Sequence, residues 1–140
     1  PDAREVNVHV MVDSCVLLDV FTRDPRWYRW SADTLAQLAE RDRLVINPVI
    51  YSEISVNFDR IELLEDELPA DTFEFRPIPR EAAFLAGKCF LQYKRRGGNR
   101  PLPLPDFFIG AHAAVAGMPL ATRDATRFKK YFPKLELIRP

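Results

Sequence analysis

Four acidic residues, spread along the chain, are its clearest chemical signal. They are Asp13 in VMVDSC, Glu53 in VIYSEIS, Asp106 in PLPDFFIGA and Asp124 in ATRDATRF. Carboxylates brought together in a fold repel one another and lose hydration, and proton uptake or a bound divalent cation relieves both effects. Carboxylate oxygens are hard ligands that suit magnesium or manganese. The four motifs therefore indicate a small metal-dependent enzyme that acts on phosphate chemistry.

The first two acids each have a plainer interpretation. Asp13 directly follows a predicted strand and could cap the next helix, although Ser14 is an equally good cap. Glu53 has helical spacing from Val49 and Val56, which predicts that it faces the apolar stripe of its helix. A carboxylate on such a stripe costs several kcal/mol unless it is paired or bound to a metal. A structural salt bridge to an arginine is the alternative for this glutamate.

The last two acids also have structural alternatives. Asp106 precedes an apolar segment and could be a helix cap or a first-turn acid favoured by the helix dipole. The Pro-Leu-Pro segment before it fixes the direction of the carboxylate, which favours a ligand role. Asp124 could cap the next helix, or Arg123 and Arg127 could neutralise it. Each motif is weak alone, and their combination carries the signal.

The charge is unevenly distributed although the net charge is zero. Residues 53–74 are strongly acidic and residues 88–130 strongly basic, and the only acids in the basic stretch are Asp106 and Asp124. This pattern suits a metal site bordered by cations that hold a polyanion. The candidate RNA contacts are Arg95, Arg96, Arg100, Arg123 and Arg127. The alternative is that both stretches are solvated faces.

Composition predicts one packed domain over residues 1–140. The hydrophobic fraction of 47% argues for a core rather than disorder. The sequence lacks an apolar run of membrane-spanning length and the features of a signal peptide, so we expect a cytoplasmic protein without a membrane span. Cys15 and Cys89 stand far apart, which indicates reduced thiols rather than a disulfide framework or a zinc site.

Strand-like and helix-like segments alternate along the chain. Predicted strands cover residues 6–12, 44–46, 73–78, 120–122 and 135–138, and predicted helices cover residues 26–41, 59–68 and 80–94, with two more opening at Pro48 and Asp106. Such alternation predicts an α/β fold with a parallel sheet covered on both faces. Ligands of open parallel sheets bind beyond the carboxyl ends of the strands. Asp13 and Asp124 both follow strands, so they can converge on that edge.

In this order and context, the motifs resemble those of the PIN-domain nucleases, and among them the VapC-type toxins of toxin–antitoxin pairs. The resemblance runs from Val10 to Ile138: VMVDSCVLLDVF is similar to the first family motif, INPVIYSEIS to the second, and PLPDFFIGAHAAVAGMPLATRD to the third and fourth. It implies a three-layer α/β/α fold around a mainly parallel sheet. It also makes Asp13, Glu53, Asp106 and Asp124 the acidic quartet, with Ser14 and Thr122 as orienting hydroxyls.

The resemblance further implies an endoribonuclease that needs Mg²⁺, with Mn²⁺ able to substitute, and that cuts structured or single-stranded RNA such as tRNA or rRNA. Asp13, Glu53 and Asp106 would hold the principal ion and Asp124 would complete the site, with one or two ions possible. Bound magnesium can activate water and stabilise a leaving oxygen without a serine or histidine nucleophile. The implied partners are a cognate antitoxin protein and a second copy in a homodimer.

Other assignments remain open from the sequence. A PIN nuclease of RNA processing, or a non-catalytic PIN scaffold that binds RNA or protein, fits the same motifs. A dehalogenase-like phosphatase requires an acid where Cys15 stands, and a receiver domain requires an acid pair and a lysine that are not evident.

Four further residues are predicted to be structural. We expect Trp27 and Trp30 to lie in the core or at a dimer contact rather than to form a base-stacking platform, because both fall on a helical stripe. His112 is expected to pack or to face solvent, and Asp19 to be structural or peripheral.

Overall fold

A five-stranded, entirely parallel sheet forms the centre of the protein. The computed structural model describes residues 8–101 and 104–140, so the predicted strand residues before Val8 lie outside it. The strands are β1 (His9–Val12), β2 (Arg43–Ile46), β3 (Phe73–Phe75), β4 (Leu120–Ala121) and β5 (Leu137–Ile138). Their order across the sheet is β3-β2-β1-β4-β5, and every neighbouring pair is parallel. The predicted parallel sheet is confirmed.

Helices cover both faces of this sheet and complete a three-layer α/β/α fold. They are α1 (Ser14–Phe21), α2 (Tyr28–Ala39), α3 (Pro48–Ser55), α4 (Ile61–Asp66), α5 (Arg80–Arg95), α6 (Pro105–Ala116) and α7 (Thr126–Tyr131). No helix in residues 8–101 and 104–140 is long and apolar enough to cross a membrane.

The central strand β1 is buried on both of its faces. Val10, Met11 and Val12 are each at most 1% exposed, although side chains alternate between faces along a strand. Met11 pairs with Val45 on one side and with Leu120 on the other. A strand covered on both faces reads as a continuous apolar run. Asp13 directly follows this buried strand, so it lies at the buried carboxyl end of β1.

Two hydrogen bonds of Asn47 help to position α3 and α6. Asn47 comes directly after β2, and its Oδ1 accepts the N–H of Ile50 at 2.9 Å, which caps α3. Its Nδ2 therefore donates to Nδ1 of His112 at 3.1 Å, which leaves this ring neutral with its proton on Nε2. Both residues are buried, and burial lowers the pKa of His112. The expected packing role of His112 is confirmed, and this bond links α3 to α6.

Candidate active site

Asp13 lies at the carboxyl end of β1 and accepts two side-chain hydrogen bonds. It is 5% exposed, and its Oδ2 accepts the hydroxyl of Thr122 at 2.8 Å and the thiol of Cys15 at 3.4 Å. Asp13 occupies the cap position of α1, but its side chain makes no capping bond within the described part of the chain. The capping alternative is therefore wrong for this residue, because its carboxylate points toward β4 instead.

Thr122 joins the loops that carry two of the four acids. This fully buried residue follows β4, and its single hydroxyl proton goes to Asp13. Its oxygen accepts the backbone N–H of Asp124 at 3.1 Å. One hydroxyl thus fixes both the direction of the Asp13 carboxylate and the start of the loop after β4.

Glu53 reaches the site from α3 through a bond to α1. Its Oε1 accepts the hydroxyl of Ser14 at 2.7 Å, so its partner is a serine rather than the arginine considered above. Val56 is 77% exposed, and Glu53 is only partly buried. The predicted apolar stripe through Val56 is wrong, because α3 buries Ile50 and Ile54 instead.

Asp106 is a first-turn residue of α6 rather than its cap. The helix begins at Pro105 and Leu104 takes the cap position, while the preceding Pro103 lies outside the described residues. The half-buried carboxylate accepts a hydrogen bond from Nη1 of Arg127 at 3.2 Å. This arginine therefore neutralises Asp106 and not, as the sequence suggested, its nearer neighbour Asp124.

Asp124 is exposed on the loop between β4 and α7. The helix begins at Thr126 with Ala125 in the cap position, so the predicted cap role of Asp124 is wrong. The adjacent Arg123 turns away and donates from Nε to Asp19 at 2.7 Å. The carboxylate of Asp124 is thereby left facing solvent beside the site.

The electrostatics show that the four acids share one region. Burial raises the pKa of Asp13 to about 6, with further increases from the charges of Asp106 and Glu53. Burial and the charge of Asp106 also raise the pKa of Glu53, against the opposing bond from Ser14. Burial and the nearby Asp124 raise the pKa of Asp106 despite the opposing effect of its arginine partner. The charge of Asp106 thus interacts with those of the other three acids, and their joint role as one site stays a prediction.

These carboxylate oxygens are suitable ligands for a divalent cation, but they are not arranged in a complete coordination site. No group of three or more His, Cys, Asp or Glu side chains is arranged to hold a metal in residues 8–101 and 104–140. The donor set nevertheless fits a hard cation, since crowded carboxylates with raised pKa values gain most from one. Asp13, Glu53 and Asp106 are the residues that could hold it, after Asp106 leaves Arg127.

Cys15 is a site neighbour that the motif analysis left aside. Its thiol lies 3.4 Å from Asp13 and 3.6 Å from the hydroxyl of Thr122. Burial, followed by the charge of Asp13, raises the pKa of this thiol to about 12. It therefore stays protonated and acts as a hydrogen-bond donor rather than a nucleophile. Its position as the second residue of α1, two residues after Asp13, was the available signal.

The basic candidates divide into two groups. Arg95, Arg96 and Arg100 are exposed around the end of α5, and the guanidinium of Arg96 lies 5.2 Å from the ring centre of Tyr131. Arg123, by contrast, is bound to Asp19, which is 2% exposed and also accepts the hydroxyl of Ser31 at 2.7 Å. The structural role expected for Asp19 is thus confirmed, and Arg123 shares it.

The fold and the site together define a parallel α/β/α protein whose acidic residues cluster at the carboxyl edge of the sheet. The family model of the PIN domain matches residues 10–132, and the chain therefore belongs to the PIN domain family. No curated protein sequence matches the chain significantly.

Solved structures share the same fold. A chain of VapBC2 from Rickettsia felis, bound to a promoter DNA fragment, superposes with a TM-score of 0.70 at 18% identity, covering 95% of this chain and 99% of that one. A chain of VapBC-1 from nontypeable Haemophilus influenzae gives 0.68 at 21% identity, covering 93% and 96%. FitAcB from Neisseria gonorrhoeae gives 0.63 at 17% identity, covering 91% and 95%. At these identities the likeness establishes the fold.

Proposed function

We propose that this protein is a divalent-metal-dependent endoribonuclease and the toxin of a toxin–antitoxin pair. The observation that carries the proposal is the cluster of Asp13, Glu53 and Asp106, whose pKa values are raised by burial and then by the charges of neighbouring acids, Asp124 included. Such a cluster is costly to a fold that never binds a cation, and perturbed carboxylates mark functional sites. Membership of the PIN domain family supports the nuclease assignment.

The residues divide the work of phosphodiester hydrolysis. When bound, Mg²⁺, or Mn²⁺ in its place, supplies an activated water and stabilises charge on the leaving oxygen. Asp13, Glu53 and Asp106 would hold the cation, and Asp124 would complete the site from the exposed loop. The hydroxyls of Thr122 and Ser14 act as positioning groups, because they fix the carboxylates of Asp13 and Glu53.

Arg127 adds a charge exchange to this scheme. Its side chain is 43% exposed and pairs with Asp106, with Nη1 3.2 Å from Oδ2. If Asp106 were a cation ligand instead, the guanidinium of Arg127 would be free to contact a phosphate of the RNA. Exposed Arg95, Arg96 and Arg100 extend the basic rim for the rest of the polyanion.

The partner is proposed from the structural neighbours and from charge. The VapBC and FitAB structures are complexes of paired proteins, and this chain has the fold of one member. We expect the cognate antitoxin to block the site with a basic side chain placed among the four acids, with apolar contacts elsewhere. A homodimer of this chain remains a prediction.

Cleavage of single-stranded RNA by the purified protein tests the function. Wild type should cut RNA with Mg²⁺ and not with EDTA, while Asp13→Asn and Glu53→Gln should each lose more than about a hundredfold in rate. Asp124→Asn should lose less, because this exposed acid has the weakest coupling to the site. Glu62→Gln on the exposed face of α4 is the matched control.

The same assay separates the competing functions. A wild type that binds RNA but leaves it intact with either cation identifies a non-catalytic PIN scaffold. If the protein is a metal-dependent nuclease, and the small protein encoded beside it does not inhibit cleavage, its function is RNA processing. Full activity of Asp13→Asn with Mg²⁺ present would contradict the assigned site.

A further inference from the structure

The turn between α1 and α2 carries arginines that alternate with aromatic residues. Its sequence, Thr-Arg-Asp-Pro-Arg-Trp-Tyr over residues 22–28, lies outside the four acidic motifs. The guanidinium of Arg26 lies 5.1 Å from the ring centre of Trp27, and that of Arg23 lies 5.4 Å from the ring centre of Tyr28. Both arginines are exposed and both rings are partly exposed. We call Arg23, Arg26, Trp27 and Tyr28 the arginine–aromatic surface.

The two tryptophans expected in the core or at a dimer contact differ in the structure. Trp30 packs against the hydrophobic core, as predicted. Trp27 is not among the residues that pack against this core within the described part of the chain. Its ring instead contacts arginines, and its backbone N–H donates to Oδ2 of Asp24 at 2.8 Å. The ring of Trp27 is therefore held in place at the surface, without a core function.

One residue joins the arginine–aromatic surface to the acidic site. The guanidinium of Arg123 lies 5.5 Å from the ring centre of Trp27, and Arg123 stands between Thr122 and Asp124 in sequence. Its bond to buried Asp19 in α1 fixes this arrangement. Arg123 therefore connects the loop that carries Asp124 with the ring of Trp27.

The backbone of this turn is held in an uncommon conformation. Arg23 has φ of 52°, the one positive value for a non-glycine residue in the described ranges. A left-handed conformation at such a residue costs about 1 kcal/mol or more. Hydrogen bonds hold the turn in this form: the N–H of Asp24 donates to the carbonyl of Asp19 at 2.9 Å, and Thr22 Oγ1 donates to that of Leu18 at 2.7 Å. The surface is preorganised before any ligand binds.

We propose that the arginine–aromatic surface binds a nucleotide of single-stranded RNA that flanks the cleaved bond, with its base against Trp27 and its phosphate on Arg26. This subsite rests on the proposed nuclease function. Bases stack on aromatic rings regardless of sequence, and arginine contributes both charge and stacking. An acidic segment of a protein partner would use the arginines but has little use for a preorganised ring. The two nearby acids are already engaged: Asp19 pairs with Arg123, and Asp24 accepts backbone N–H groups.

Binding of a short fluorescent single-stranded RNA in EDTA, where no cleavage occurs, tests the subsite. Trp27→Ala should weaken RNA affinity about tenfold, while Trp27→Phe should retain most of it because a ring remains. Arg26→Ala should weaken binding and reduce the slope of log affinity against log salt by about one. Arg26 is exposed, so this variant stays folded even where a tryptophan variant does not.

The chain offers a matched control on α5. Phe84 is 68% exposed and has a cation over its ring, with Nζ of Lys88 at 5.1 Å. Phe84→Ala and Lys88→Ala remove the same kinds of group away from the turn, and both should bind RNA as wild type does. An equal loss in Phe84→Ala and Trp27→Ala would overturn the proposal.

Two further outcomes decide between this subsite and the nuclease function. If wild type cleaves RNA but Trp27→Ala and Arg26→Ala bind RNA as tightly as wild type, the subsite is wrong and the nuclease stands. If these variants lose antitoxin affinity while RNA affinity is unchanged, the surface belongs to the protein partner and the proposal is likewise overturned. If wild type binds RNA without cleaving it, and Trp27→Ala binds RNA about tenfold more weakly than wild type, the subsite is supported and the nuclease function is refuted.

Discussion

Arg123 binds Asp19 across 104 positions of sequence, with Nε 2.7 Å from Oδ2. The carboxylate of Asp19 is 2% exposed and receives a second bond from Ser31 of α2. The pair therefore ties the loop after β4 to both α1 and α2. A buried carboxylate depends on its partner charge, because losing that partner leaves an uncompensated ion. Arg123 consequently acts first as a structural residue and only then as part of the basic rim.

Breaking this pair should destabilise the protein. Arg123→Gln is expected to lower the free energy of unfolding by about 2 kcal/mol, less than for a fully buried pair because the arginine is partly exposed. Asp19→Asn should cost less, since the amide can still accept the hydroxyl of Ser31. Urea unfolding of both variants and their combination measures the coupling. Simple addition of the two losses would show that the bond contributes nothing.

Asp13 should make the protein less stable at neutral pH than in mild acid. Its pKa rises from 3.8 to about 6 on folding, so the folded state binds this proton more tightly. Below pH 3.8 the ionisation of Asp13 does not reduce the stability of the folded state. The loss of stability grows as the pH rises from 3.8 to about 6 and is constant above that. A shift of about two pKa units corresponds to roughly 3 kcal/mol.

Asp13→Asn removes this ionisation and keeps an acceptor for Thr122. The variant should therefore be more stable than wild type at pH 7.5 and about equal to it near pH 4. Urea midpoints at the two pH values give the comparison, with the exposed Asp71→Asn as control. A variant that is less stable than wild type at pH 7.5 would show that the ionised carboxylate of Asp13 does not destabilise the folded protein.

Magnesium or manganese should raise the melting temperature by relieving the burial cost of these carboxylates and the repulsion between them. The cation binds the folded state, so the rise grows with its concentration. It should be larger at pH 7.5 than at pH 5, where Asp13 takes up a proton instead. Asp106→Asn should remove most of the rise. Thermal melts of both proteins at the two pH values test this, and equal rises would separate Asp106 from the cation site.

Arg127 should distinguish RNA from the antitoxin. Reversing this half-exposed charge in Arg127→Glu should weaken RNA binding more than antitoxin binding, because phosphate contacts carry most nucleic-acid affinity. Lys129→Glu, an exposed basic residue of the same helix, is the control. Two titrations at one salt concentration suffice. If Arg127→Glu weakens RNA binding and antitoxin binding equally, Arg127 contributes to both ligands rather than mainly to RNA. Arg123→Glu is unsuited to this test, since it places a second acid beside Asp19.

The sequence predicted the strands, their parallel arrangement and the convergence of the acids, because these follow from apolar periodicity and from chain order. It could not predict the partners of the arginines. Arg123 and Arg127 flank Asp124, yet they pair with Asp19 and Asp106 instead. Local spacing favours neighbours, whereas the sheet order brings α1 and α6 against the loop after β4.

The faces that helices turn to the core were the other source of error. Val56 was placed on the apolar stripe of α3, but the buried residues of this helix are Ile50 and Ile54, and Val56 is exposed. Trp27 was expected in the core or at a dimer contact from its helical spacing, but it does not pack against the core in the described part of the chain. Val56 and Trp27 keep helical backbone angles beside α3 and α2, so the spacing was correct and the choice of buried face was not.

The place of β4 in the sheet also sets when the site can exist during synthesis. β4 pairs with the central β1, although more than a hundred residues separate them. Until residues 120–124 leave the ribosome, one edge of β1 is open and the carboxylate of Asp13 lacks its bond from Thr122. Asp124 emerges with the same segment. A chain still in synthesis therefore lacks both the Thr122 contact of Asp13 and the carboxylate of Asp124, and the acidic cluster assembles only after residues 120–124 have emerged.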